Sequence, residues 1–328
     1  MPGDISKKIY GTAQGSKIFL VIILVYFFCS DHNLNAMQLS FISLTASLAE
    51  KGGIIVDDFI INTADLSFNN GHFYSGMAPG ISFLSLPYYL LCKMFLKNAP
   101  NYSGIGPLIF TGAITSFIVA FSMVFLYLLL KDMGSKEKEA GSLTFLCALG
   151  TLFLVYGSTL DSRAIASSLS VIVYYLVYHN RNVLNEKSCV LSGTIGFLLG
   201  IIPSFNYASL LLIPVFLLYF VYSIFKRKDI CASKKMERAA VFIAGLSIPL
   251  SLLMFYNYAA FGDPFSTPYH FRYGLMQHGA HSEGIAGFTY PKAKTLLHLL
   301  FLPYRGGCCS ICLYFLSAGS YMASAGKK

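Results

Sequence analysis

Long apolar blocks divided by short polar breaks dominate this chain. Runs cover Ile18–Cys29, Phe110–Leu130, Leu143–Leu160, Ile165–Tyr178, Leu210–Phe225 and Val241–Tyr256. With a few flanking residues, most reach the roughly 20 that a helix needs to cross a hydrocarbon core about 30 Å thick. A helix satisfies its own backbone polar groups there, which is the condition for crossing.

One further apolar segment, Pro79–Leu96, decides the topology. It carries Pro87 and Lys93 and is interrupted by Ser82 and Ser85. If it spans, Lys and Arg divide into 10 cytosolic and 14 external, with the basic stretch Lys226–Arg238 outside. If it lies along the interface, the division is 16 and 8, while the acids split 7 and 8. Cytosolic loops collect the basic residues, so the second arrangement is expected. The fold expected is an all-α polytopic membrane bundle of about eight transmembrane helices, forming one domain over residues 1–328 with both termini cytosolic. Two long extracytosolic loops follow, residues 31–106 with interfacial helices and residues 259–305. The compartment implied is the inner, or cytoplasmic, membrane.

Composition agrees. Of 328 residues, 55% are hydrophobic and 12% charged, and mean hydropathy is +0.61. A soluble domain of this size needs more charge on its surface. The net charge of +9 sits in short loops between apolar blocks, the pattern of membrane topology and not of nucleic-acid binding. Most of the eight cysteines fall inside apolar blocks, as packing residues do. Bulky Phe27 and Phe28 before Cys29 argue for a retained first span over a cleaved leader.

The candidate chemistry lies in the loops. In the first, Leu39–Glu50 suits an amphipathic surface helix ended by Gly52 and Gly53. Asp57, Asp58 and Asp65 follow, then the run Asn70–Gly80 with His72 and Tyr74. A carboxylate at the bilayer surface can hold a cation or take a proton from an acceptor hydroxyl, whereas solvated loop acids simply form turns. Asp161 closes a span just before Arg163, and its plain role is to cap the next helix and pair with that arginine. The second loop supplies His270, His278, His281, Glu283 and Arg305. His278-x-x-His281-x-Glu283 has the residue types of a divalent-cation site, though its Gly-rich setting fixes no common face. Arg305 stands where it can meet a lipid phosphate or snorkel.

Gly71-His72-Phe73-Tyr74-Ser75-x-x-Ala78-Pro79-Gly80, followed by Leu84-x-x-Pro87-Tyr88, resembles the GT-C superfamily of polytopic glycosyltransferases, in particular the branch akin to protein mannosyltransferases and the lipid A aminoarabinose transferase. Further matches are Ala46-x-Leu48-x-Glu50-x-Gly52, Gly150-Thr151-Leu152 leading to Asp161, Tyr256-Asn257-x-x-x-Phe261-Gly262-x-Pro264, and Pro303-Tyr304-Arg305-Gly306. The resemblance implies a transferase that moves a sugar from a polyprenyl-phosphate donor to an extracytosolic glycan, lipid or protein acceptor. It assigns Asp57, Asp65 and Asp161 as catalytic candidates and places His72, Tyr74, Arg163, His270 and Arg305 around the substrates. Three features depart from the family: no Arg follows the first span, Gly76-Met77 stands where many relatives have Lys, and the chain stops soon after Gly306. The last raises an inactive fragment as an alternative. A multi-span transporter or lipid flippase is another, weakened because the assigned spans carry no Asp, Glu, Lys or Arg in their interiors.

Overall fold

The computed structural model describes residues 13–30, 34–60, 63–95, 105–180, 187–228, 230–274 and 293–294. Contacts divide the chain into units 1–282 and 283–328, and the fold described is that of the first. Its helices are α1 (Ala13–Phe28), α2 (Ala36–Lys51), α3 (Gly80–Phe95), α4 (Ile105–Asp132), α5 (Glu137–Leu149), α6 (Leu152–Gly157), α7 (Ser162–Asn180), α8 (Lys187–Phe205), α9 (Leu212–Phe225) and α10 (Ala232–Phe261). Short 3-10 turns cover Asp57–Phe59, Tyr207–Leu211 and Pro268–Phe271.

Among the described residues, four helical stretches are long and apolar enough to cross a membrane: Gly112–Asp132, Ser188–Phe205, Tyr207–Phe225 and Ala232–Phe261. The protein is an all-α membrane protein in this sense. In Tyr207–Phe225 only 22% of the residues are buried against the rest of the chain, and Val215, Leu218 and Tyr222 point outward. A helix apolar on every side yet uncovered by protein matches lipid as its surroundings. Hydroxyls within the helices turn back onto their own backbone, as Ser192 does to the Ser188 carbonyl at 2.7 Å and Thr144 to that of Ala140 at 2.8 Å.

Glycines set the tightest helix pair. A Cβ added at Gly196 would stand 2.0 Å from the Phe242 carbonyl oxygen, and one at Gly245 would stand 2.3 Å from that of Gly193. Backbone therefore lies on backbone along the seam of α8 and α10, the packing that small residues allow in lipid. The main core joins α1, α4, α7 and α8 through Tyr26, Met123, Tyr127, Tyr175 and Leu199. Tyr26, fully buried, donates to the Ala148 carbonyl at 2.8 Å and so ties α1 to α5.

Two expectations change. The run Leu143–Leu160 is two helices, broken at Gly150-Thr151, where the Thr151 hydroxyl accepts from the Phe153 N–H at 3.2 Å and starts α6 anew. The first loop also holds more than helices. Between α2 and α3 runs an antiparallel hairpin of β1 (Leu66–Asn69) and β2 (His72–Ser75), with Leu66 opposite Ser75 and Asn69 opposite His72. Its turn is Asn70-Gly71, both at positive φ, 50° and 85°, as a two-residue turn with matching twist requires. The second loop adds to this layer: Arg272 bridges to Ser67, the Tyr273 N–H donates to the Leu66 carbonyl at 3.0 Å, and the Ser67 hydroxyl to that of Pro268 at 2.7 Å.

Candidate functional site

The start of α2 gathers the loop layer. Asn35 and Gln38 form a reciprocal cap, and the Gln38 side-chain amide donates to the Leu160 carbonyl at 3.3 Å, beside Asp161. One turn on, Ser40 meets the Ser75 hydroxyl at 2.9 Å and accepts from the Gly76 N–H at 3.2 Å. Gly76 in turn donates to the Asp65 carbonyl at 3.0 Å. Asp65 and Asp161 therefore flank one helix start, and the hairpin carries the layer on to Asp57.

The three acids do not converge on a point. Asp57 binds the turn end of β2 and Asp65 lies at its other end. Three residue steps separate the Phe73 amide that the Asp57 carboxylate engages from the Gly76 amide that the Asp65 main-chain carbonyl engages, about 10 Å at strand rise. Their partners differ too. Asp57 Oδ1 accepts from the Phe73 N–H at 2.6 Å and Oδ2 meets His72 Nδ1 at 2.7 Å, with His72 half exposed. Partial burial pushes the Asp57 carboxyl up. The hydrogen bonds from His72 and Phe73, with His72 and Lys51 close by, outweigh this and hold it below the ordinary carboxylate value.

Asp65 is buried and pairs with Arg272, Nη2 to Oδ1 at 3.5 Å, and Arg272 is equally enclosed. The Arg272 guanidinium lies 5.0 Å from the centre of the Tyr269 ring. Burial pushes the Tyr269 hydroxyl up, against the pull of Arg272 and with a contribution from Asp65. This pair clamps the first loop to the second. Asp161, also buried, accepts from the Arg163 and Ala164 N–H groups at 2.8 and 3.2 Å and holds the Arg163 guanidinium at 2.6 Å. It caps α7, while Arg163 covers the Tyr156 ring at 4.4 Å.

Of the other candidates, Tyr74 is not an open lining residue but part of the packing, between Ala260, Phe261 and Ile54. Burial, then the Asp57 charge, pushes its hydroxyl up. His270 is exposed, with Nδ1 at 3.3 Å from the Thr267 hydroxyl. His278, His281, Glu283 and Arg305 lie outside the described residues. Among the described residues no group of three His, Cys, Asp or Glu side chains could hold a metal ion.

A cavity of about 510 Å³ opens between α3, α8 and α10. Its walls are apolar, with Phe83, Leu84, Phe197, Ile201, Leu252 and Tyr256 among them, and its loop end is Ile54, three residues before Asp57. Phe83, Phe197 and Leu252 are exposed on the bundle's flank, so an apolar chain can enter from the side. Arg272 and this cavity are the features that sequence reasoning missed.

No family model, curated protein or solved structure matches this chain.

Proposed function

We propose that this protein is a membrane glycosyltransferase of the GT-C type, which passes a sugar from a polyprenyl-phosphate donor to an extracytosolic acceptor, an envelope glycan, lipid or protein. In this reading the bundle has eight spans in the inner membrane, both termini are cytosolic, and the loop layer faces outward. The observation that carries it is the apolar cavity whose lining reaches Ile54, three residues before the Asp57 that pairs with His72. An apolar slot open to the bilayer suits the tail of a lipid, and a polar pair at its loop end suits group transfer at that lipid's head. Holding donor and acceptor together there lowers the barrier by proximity.

The reaction would be a displacement at the anomeric carbon through an oxocarbenium-like transition state. Asp57 is favoured among the three acids, because Asp65 is committed to Arg272 and Asp161 to its helix cap. Mass spectrometry of lipid-linked sugars and envelope glycans, with and without the gene, tests the reading. Accumulation of one lipid-linked sugar with loss of one glycan modification is expected. Identical profiles would refute it.

A further inference from the structure

In the acid that the transferase reading would make the base, both carboxylate oxygens already accept a hydrogen bond. One Asp57 oxygen is taken by the Phe73 N–H and the other by His72 Nδ1. We propose, building on the transferase reading, that His72 is the catalytic residue that removes the acceptor's proton, through Nε2, and that Asp57 is its positioning residue.

The tautomer follows by elimination. An ionised carboxylate only accepts, so His72 Nδ1 must carry the hydrogen in the 2.7 Å contact. In the neutral ring Nε2 then holds the lone pair. The depressed carboxyl of Asp57 keeps it ionised and makes it the poorer proton acceptor. The backbone fixes both partners. Asp57 opens a 3-10 turn that the Val56 N–H pins to the Phe73 carbonyl at 2.9 Å, and His72 is the first residue of β2. Lys51 lies close enough to act on Asp57 and is itself paired with Asp58, and Tyr74, two residues on along the same face of β2, is buried and feels the Asp57 charge. The geometry is that of a base held in orientation by a third group.

The step balances without a co-reactant. As the acceptor oxygen bonds to the anomeric carbon, the bond from that carbon to the phosphate oxygen breaks, and the lipid phosphate leaves with the electron pair. The hydroxyl proton passes to His72 Nε2. The imidazolium formed is stabilised by Asp57 and releases its proton to water.

The test uses the full chain in detergent or nanodiscs and two readouts. Diethyl pyrocarbonate modification, followed by mass spectrometry, is the one that needs no substrate. His72 should be modified at Nε2, and Asp57→Asn should change its rate severalfold relative to His270, the exposed internal reference. Equal relative rates in both proteins, or modification at Nδ1, would overturn the proposal. In the transfer assay His72→Gln should lower kcat about a hundredfold with little change in KM, the usual scale for a lost general base. Asp57→Asn should lower it about tenfold, and imidazole should rescue His72→Ala. If His72→Gln transfers like the wild type while Asp57→Asn is dead, the base is Asp57 and the proposal fails. A pair intact by modification in a protein that transfers no sugar would instead overturn the transferase reading, and the base assignment with it. Unchanged melting of each variant keeps misfolding out of the comparison.

Discussion

Replacing Gly196 by alanine asks whether backbone contact between α8 and α10 holds the bundle. The added Cβ would stand 2.0 Å from the Phe242 carbonyl oxygen and 3.0 Å from the Leu246 nitrogen, where 3.4 Å begins ordinary contact. Both obstacles are backbone, so no side chain can swing aside and the helices must part by about 1 Å. A gap of that order removes about a quarter to a half of the dispersion energy of each contact it opens. Overpacking costs about 1–3 kcal/mol, and a backbone clash belongs at the top of that range. Alanine's better helix propensity returns about 1 kcal/mol. The net expectation is a loss of about 2 kcal/mol. For a fold of this size that is a fall in Tm of about 3 °C, followed in detergent by thiol reactivity of the half-buried Cys147 and Cys189. Gly193→Ala is the control. Its Cβ meets Val241 Cγ1 at 3.0 Å and the Val241 carbonyl oxygen only at an ordinary 3.7 Å, so it should cost clearly less than Gly196→Ala. If Gly196→Ala melts at or above the wild type, or Gly193→Ala falls as far, the seam is not held by backbone contact and the reasoning fails.

Three further outcomes follow from the loop layer. Asp65→Asn leaves Arg272 buried without its charge partner and should cost about 3 kcal/mol, partly recovered by adding Arg272→Met; a melt unchanged by Asp65→Asn would show that the clamp contributes nothing. Because folding lowers the Asp57 carboxyl, its contribution is complete above the unfolded value near 3.8 and is lost as pH falls through the folded one. Exchange protection of the Phe73 amide should therefore persist down to that range, and its loss already at about pH 6 would contradict the assignment. Asp161→Ala removes the two N–H contacts that start α7 and should cost about 1–2 kcal/mol in the same melting assay, whereas a neutral result would deny it the capping role.

Four spans were legible because lipid leaves a helix little choice of composition, and continuous apolar runs survive any uncertainty in packing. The break at Gly150-Thr151 was harder to read, since the residues on both sides are equally apolar and only the Thr151 hydroxyl competes with the helix. The hairpin did leave a signal. Asn70-Gly71 between two short segments is a strong turn pair, but strands of four residues give too little alternation to stand out beside helices several times longer.

The site divides in the same way. Single residues could be named from residue type, so Asp57, Asp65 and Asp161 all stood out, but their partners depend on contacts that spacing does not encode. Asp161 was the simplest, because its partners are the next residues along the chain. The Asp57–His72 contact joins residues 15 apart, and the Ser67–Pro268 bond beside the Asp65 clamp joins residues 201 apart. Arg272 had no local mark of importance at all. Only the folded layer separates an acid that braces two loops, Asp65 with Arg272, from one that starts a helix, Asp161, and one that bonds a half-exposed histidine, Asp57 with His72.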